Sequence, residues 1–376
     1  MKVVFVSPVA PGKVFSGLSM RANSTFEALA RWHEVEVAAP RSLSFGSRIR
    51  RWTHDKVPQA YKCCFSIPSD WEVAESRACR RAALEIVESK PELIHVFRFY
   101  MEPFVSGVIR KIPCQLDLDE SEAHTRRRLA DLARLNGDSV RAEIWDAEAK
   151  FYAEAERRLL PAFERIFVSS EHERGLVLEV NPKLQVELLP NVVSIPATSR
   201  ERKESGPFTF LFVGGLGYYP NEDGVRFLIR EVLPILELRL RGDFRVLVAG
   251  GSASEDLKTL IAATPRVEAA GFVPDLGELY STTDAVLIPL RAGGGTRIKA
   301  LEAFAYQVPV VSTRIGAEGL PVSDGVEVLI GDGAEGLADA CVRMVEKPGL
   351  RTELARAAYE LVTARFSAQV FDKTLR

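Results

Sequence analysis

Short apolar runs of strand length recur along the whole chain, and most are separated by segments of helical period. VVFV, VEVAA, LIHVF, QLDLD, RIFVSS and VELLP come first; FTFLFVGG, RVLVAGG, VEAAGF, AVLIPL, VPVVST and VEVLIG follow. Between them lie segments such as NSTFEALARW, SRACRRAALEIVES and NEDGVRFLIREVLPILEL, whose apolar positions return every three to four residues. A strand that is apolar at nearly every position must be covered on both faces, and intervening helices supply that cover. The pattern predicts a doubly wound α/β fold with parallel sheets.

At 376 residues the chain is long enough for two or three domains. The polar, proline-flanked stretch SIPATSRERKESGP (194–207) interrupts the pattern and reads as a linker, after which the strand theme restarts. Two Rossmann-like domains are expected, over 1–195 and 206–355. The last segment, 356–376, has helical period and is expected to return across the first domain. A charged, helix-forming segment spans 120–163 with a break at Asn136-Gly137, and its Arg126–Arg128 run suits a solvated face better than an anion site.

Lys+Arg 49 against Asp+Glu 51 gives no bulk attraction to nucleic acid, which is excluded as a partner. Five cysteines, at 63, 64, 79, 114 and 341, show no paired C-x-x-C spacing, so neither a disulfide framework nor a zinc site is indicated, and a reducing cytoplasm fits. The opening MKVVFVSPVAPGK is too short in its apolar run for a signal sequence and reads as a first strand. No apolar stretch reaches the roughly 18 residues of a membrane span. The segment RSLSFGSRIRRW (41–52) is basic and partly aromatic, and weak peripheral contact with the inner membrane face is an expectation beside the plainer one of a solvated loop.

The stretch RAGGGTRIKALEAF (291–304) reads as a glycine loop running from the strand AVLIPL into a helix. A helix start leaves N–H groups unpaired and carries the positive end of the dipole, so an anion can settle there. Gly293, Gly294 and Gly295 let backbone approach a ligand, with Thr296 at the loop's end. Arg297 and Lys299 put two cations into the first turn, where they oppose the dipole unless a negative group sits between them; that cost suggests a phosphate. The same residues also suit an ordinary glycine turn with two solvated bases. A second strand-to-glycine loop, FVGGLG (212–217), contains Gly214 and Gly215, and Asn221 is the expected cap of the helix after it. Ligands of open α/β sheets bind beyond the carboxyl ends of strands, so two such loops in one domain could line one crevice. Glu302 is an i, i+3 partner for Lys299, or a carboxylate for a ribose diol; the loop ahead of it favours the second.

Together these residues resemble the retaining, nucleotide-sugar-dependent glycosyltransferases of the group 1 family (family 4, GT-B fold). MKVVFVSPVAP resembles the family's first strand, LFVGGLGYYPNEDGVRFLIREVLP the start of its donor domain, AGFVPDLGELYSTTDAVLIPLRAGGGTRIKALEAFAYQVPVVSTRIGAEGL its donor-site block, and RFSAQVFDKTLR its closing helix. The resemblance implies two domains facing each other across a cleft, the first on the acceptor side and the second binding the donor. Glu302 then corresponds to the second acid of the family's E-x7-E motif; the first falls at Gly294, which leaves the sugar to backbone groups or other residues. Arg297 and Lys299 become the diphosphate clamp, and the turn containing Phe272 and Val273 faces the nucleobase. His95 is similar to the first histidine of an H-x-H stretch whose second position is Phe97, and is either a catalytic-side or a core histidine. Arg98, Gly17 and Arg21 fall on the acceptor side.

The resemblance implies transfer of a sugar, with retention and without metal, from a nucleotide diphosphate sugar, a UDP-sugar rather than a GDP-sugar, to a glycan, lipid-linked or small-molecule acceptor. No further cofactor is expected. LDLD (116–119) spells Asp-x-Asp, but in the acceptor half. Two alternatives stand beside this reading: a catalytically idle GT-B protein acting as a binding scaffold, and a sugar-nucleotide 2-epimerase. A dehydrogenase fails for want of G-x-G-x-x-G with an acid some 20 residues on.

Overall fold

The computed structural model describes residues 1–12, 16–38, 84–196 and 206–375. The basic segment 41–52, Cys63, Cys64 and Cys79, and the central part of the expected linker lie outside them; Cys114 and Cys341 are free and buried. The chain divides into two compact units, Met1–Asn191 with Phe371–Arg376, and Val192–Val370.

In the first unit β1 (Lys2–Val6) leads through α1 (Gly17–Ala30) to β2 (Glu34–Ala38), and β3 (Leu93–Phe97) is followed by β4 (Cys114–Asp119). Helices α2 (Glu122–Leu135) and α3 (Ser139–Leu159) precede β5 (Arg165–Val168), α4 (Glu171–Val180) and β6 (Val186–Leu188). The six strands form one parallel sheet in the order β2-β1-β3-β4-β5-β6. β3 is buried at every position, as its unbroken apolar run requires. The charged segment breaks where expected: α2 ends at Asn136, Gly137 takes φ 75°, and Asp138 caps α3. Arg126 is not a free base there, because its Nε lies 3.0 Å from Glu148 of α3.

The second unit starts with β7 (Phe208–Val213), α5 (Tyr219–Phe227), a π turn over Leu228–Val232, and α6 (Leu233–Arg239), whose Pro234 cannot donate to the preceding turn. β8 (Phe244–Ala249), α7 (Glu255–Ala262), β9 (Val267–Gly271), α8 (Gly277–Thr282), β10 (Ala285–Ile288) and α9 (Ile298–Ala305) follow. β11 (Val310–Ser312), α10 (Arg314–Ala317), β12 (Val328–Ile330), α11 (Gly333–Glu346) and α12 (Pro348–Arg365) complete it. The parallel order is β12-β11-β10-β7-β8-β9, that of a dinucleotide-binding Rossmann sheet. Each apolar run singled out above overlaps one strand of the two sheets.

The expected boundary at 355 cuts through α12. That helix belongs to the second unit, where Leu354, Ala358 and Val362 are wholly buried in its core, and α9 packs against it. The last helix, α13 (Ala368–Leu375), contains the change: from Phe371 onward the chain counts with the first unit, where Asp372 pairs with Arg31. No helix among the described residues is long and apolar enough to cross a membrane.

Candidate functional site

In the second sheet the connections run outward one way from β7 and the other way from β10, and these two strands are hydrogen-bonded neighbours. Their carboxyl ends form the topological switch point. The two glycine loops recognised in the sequence leave from these two ends.

The loop after β10 turns through Gly293 (φ 125°) and Gly295 (φ 65°), backbone conformations that disfavour a side chain. It ends on Arg297, which stands just before α9; the first turn of α9 contains no acid. Lys299 reaches across to the elements that flank the other loop, where its Nζ donates to Asn221 Oδ1 of α5 at 2.8 Å and lies 4.4 Å from the centre of the Phe212 ring of β7. Asn221 in turn donates from Nδ2 to the Gly215 carbonyl at 3.0 Å. A Cβ at Gly214 would stand 2.8 Å from both Lys299 Nζ and Asn221 Nδ2, so the glycine makes room for the pair. No carboxylate among the described residues forms an ion pair with Lys299. Burial, with some help from Arg297, pushes its ammonium down to about 7, and Glu302 only partly opposes this.

Asn221 is therefore not the helix cap expected of it. α5 begins earlier, at Tyr219 with Tyr218 as N-cap and Pro220 in its first turn, and the Asn221 N–H already bonds back to the Tyr218 carbonyl. That frees its side chain to join the two loops.

Arg297 also differs from a simple clamp. Its guanidinium is buried and folds back onto the loop: Nη1 donates to the carbonyls of Gly294 and, at 3.1 Å, Gly295, and Nη2 to Ile315 at 3.2 Å. A Cβ on Gly293 would lie 3.2 Å from Nη2. Arg297 thus holds the shape of the loop and adds its charge there, while Nε is left without a partner.

Glu302 makes no ion pair with Lys299. Its Oε2 accepts instead from the hydroxyl of Tyr280 at 3.2 Å. Burial pushes its carboxyl up, against the Tyr280 bond and Lys299. Leu301 and Ala305 of the same helix are buried in the core of the unit. Phe272 is exposed beyond β9, with Val273 beside it and Gly271 at φ 67°; Phe272 packs 3.5 Å from where a Cβ of Gly251 would stand. Thr296 is buried at the loop's end.

Two contributors escaped the sequence reading. Tyr280 lies 22 positions from Glu302, and no local pattern marks the contact. Arg291, read only as the start of the glycine stretch, pairs with the buried Asp223 of α5 at 2.6 Å and braces one loop against the other helix.

Residues 207–347 match the family model described as Glycosyl transferases group 1. The second unit contains a group 1 glycosyltransferase domain. Over 193 residues the chain is 30% identical to D-inositol 3-phosphate glycosyltransferase of Corynebacterium jeikeium, a match covering 48% of this chain and 46% of that protein. The same-named protein of Arthrobacter is 30% identical over 168 residues, 41% of this chain and 38% of its own length. The chain thus spans less than half the length of these curated relatives. Among solved structures, sucrose-phosphate synthase from Thermosynechococcus elongatus superposes with a TM-score of 0.72 at 15% identity, covering 99% of this chain and 96% of that one. An Anabaena protein solved in complex with UDP and glucose gives 0.63 at 13%, covering 99% and 97%. The fold is that of the GT-B glycosyltransferases. The switch-point loops belong to the group 1 glycosyltransferase domain.

The remaining sequence candidates lie in the first unit. His95, in the middle of β3, is wholly buried with its ring 5.9 Å from those of Phe5 and Phe167, and burial pushes its imidazole down to about 3. These are the surroundings of the core histidine, one of the two readings open for it. Gly17 begins α1 behind the capping box of Ser16 and Ser19. Arg21 is wholly buried, held by Asp117 at 2.7 Å and Asn191 at 3.1 Å, with Asp119 3.6 Å away. Arg98, expected on the acceptor side, is bound to Asp119 (3.1 Å), Glu120 (2.8 Å) and Glu122 (2.6 Å). Arg98 and Asp119 both take positive φ, 72° and 65°, a strain that this ion network holds in place.

Proposed function

We propose that the protein transfers a sugar from a nucleotide diphosphate sugar, a UDP-sugar rather than a GDP-sugar, to an acceptor, with retention of anomeric configuration and without a metal ion. The observation that carries the donor half is the acid-free start of α9 at the switch point, where Lys299 has a neutral partner and no carboxylate. A site that holds a buried amine in this way is short of one anion. A diphosphate between the two glycine loops would meet Lys299, the N–H groups of the 294–296 loop and the positive end of α9.

As the bond from the anomeric carbon to the diphosphate lengthens, negative charge builds on the leaving oxygens. Preorganised cations and N–H groups aimed at that charge lower the barrier, usually by more than any other single effect. Lys299 supplies the direct charge; Arg297 keeps the loop in shape; Glu302 receives the ribose hydroxyls. With diphosphate charge met in this way, a divalent ion has no essential task. Gly294 stands where the family pattern has an acid, so the sugar itself is left to backbone groups. Retention rests on the family resemblance. Because Arg21 and Arg98 are occupied by carboxylates, the first unit suits an acceptor offering hydroxyls better than one offering a phosphate.

The test is calorimetry with UDP and uridine, followed by a panel of sugar nucleotides scored by slow donor hydrolysis, with and without EDTA. UDP should bind, uridine should bind far more weakly, and hydrolysis of one donor should survive EDTA. Equal affinity for UDP and uridine would remove the diphosphate site; loss of hydrolysis in EDTA would remove metal independence.

A further inference from the structure

We propose that Tyr280 is a positioning residue that fixes one carboxylate oxygen of Glu302 and leaves the other turned toward the ribose hydroxyls of the donor. This rests on the donor reading above. Tyr280 is wholly buried in α8, and its single hydroxyl proton goes to Glu302 Oε2. Its ring is held against Tyr306 of the α9–β11 turn, centroids 4.8 Å apart and planes 15° from parallel, so the hydroxyl has little freedom to choose another partner. Glu302 Oε1 has no hydrogen-bond partner among the described residues. One oxygen is therefore anchored and its twin is open, the arrangement a vicinal diol needs from a carboxylate that accepts two hydrogen bonds.

The anchor also has an electrostatic effect. Burial favours the neutral acid at Glu302, and a protonated carboxyl would offer the diol a donor in place of an acceptor. A hydrogen bond donated to the carboxylate favours its charged form, and Lys299, the cation that also favours it, is turned toward Asn221. Tyr280 thereby both aims the acid and helps to keep it ionised.

The Tyr280→Phe substitution removes one oxygen and keeps the ring, and a thermal melt confirms the fold. UDP affinity should fall about fivefold, the range for one hydrogen bond, while affinity for 2′,3′-dideoxy-UDP should hardly change. The low-pH limb of UDP binding should move to higher pH, a shift that a purely structural defect would not produce. In a double-substitution cycle with Glu302→Gln, the Tyr280→Phe loss should vanish, because its target is gone. If Glu302→Gln binds UDP and dideoxy-UDP as the parent does, the ribose role of Glu302 falls, and this inference with it. If Glu302→Gln loses its preference for UDP while Tyr280→Phe keeps affinity, preference and pH limb, or if the two losses add, the positioning role alone is overturned.

Discussion

Lys299 joins the stability and the ligand chemistry of the site in one titratable group. In the free protein its ammonium is pushed down from 10.5 to about 7, so at pH 8 it is largely neutral. A diphosphate favours the charged form, and the complex should therefore take up a proton on binding. The uptake should appear as a dependence of the binding heat on the buffer's ionisation enthalpy at pH 8, and it should shrink as the pH falls below 7. Lys299→Ala should abolish it and weaken UDP binding by about 1.5–3 kcal/mol, the range for a hydrogen bond to a charged group. A binding heat independent of buffer at pH 8 would count against the assignment. The sign for folding runs the other way: between about pH 7 and 10.5 the unfolded chain holds more protons on this lysine, so its share of stability rises with pH.

At the scale of elements, the start of α2 is held by buried carboxylates. Glu156 of α3 accepts from the Ser121 hydroxyl at 3.0 Å and the Ala123 N–H at 3.1 Å, and Glu173 of α4 accepts from the Ser121 N–H at 2.8 Å. Burial pushes the Glu156 carboxyl up to about 7, with Glu122 adding to the effect and its hydrogen bonds opposing it. The folded chain then holds a proton that the unfolded chain, at 4.5, releases, so stability should fall as pH rises from about 4.5 through 7. Glu156→Gln keeps an acceptor for both donors and removes the titration. Its melting temperature should change less than the parent's between pH 5 and 8, and exceed it at pH 8. A parallel pH dependence in the two proteins would refute this.

The elements themselves were largely legible in the sequence, and the site partly so. β3 and β7 are apolar at nearly every position, and that alone requires cover on both faces. The break at Gly137 and the glycine turns at 293–295 were visible because few residues other than glycine adopt such backbone. Gly214 was singled out because it stands on a loop next to a strand end, and Lys299 and Glu302 because they stand on the helix that such a loop enters. The role of Asn221 was misread because capping is judged from local spacing, whereas its partners are a carbonyl six residues back and a lysine 78 residues on. His95 was left open because a histidine in an apolar run looks the same whether its ring faces solvent or phenylalanines.

For the whole molecule, the division into two units, each with its own sheet and its own core, sets the expectation for unfolding. The two glycine loops lie wholly within the second unit, so a ligand bound there would stabilise that unit by an amount that grows with the logarithm of its concentration. Calorimetric melting should show two transitions, and UDP should raise one of them while leaving the other nearly unmoved; Lys299→Ala should lose the shift. A single transition that UDP moves as a whole would mean that the units unfold together.

The sequence by itself determined the fold class, the number of sheets and the loops that matter, because apolar period, chain punctuation and glycine are local properties that survive without a partner. Tertiary structure decided which charges are available. Arg21 and Arg98, expected on the acceptor side, are neutralised by acids brought from up to 98 positions away, and Arg297, expected in a diphosphate clamp, is turned onto its own loop. Among the described residues neither Arg297 nor Lys299 forms an ion pair with a carboxylate, and of the two only Lys299 reaches across to α5. Coulomb energy depends on distance and burial, which a linear order of residues does not contain, and so the sequence could name the cations but not which of them acids neutralise.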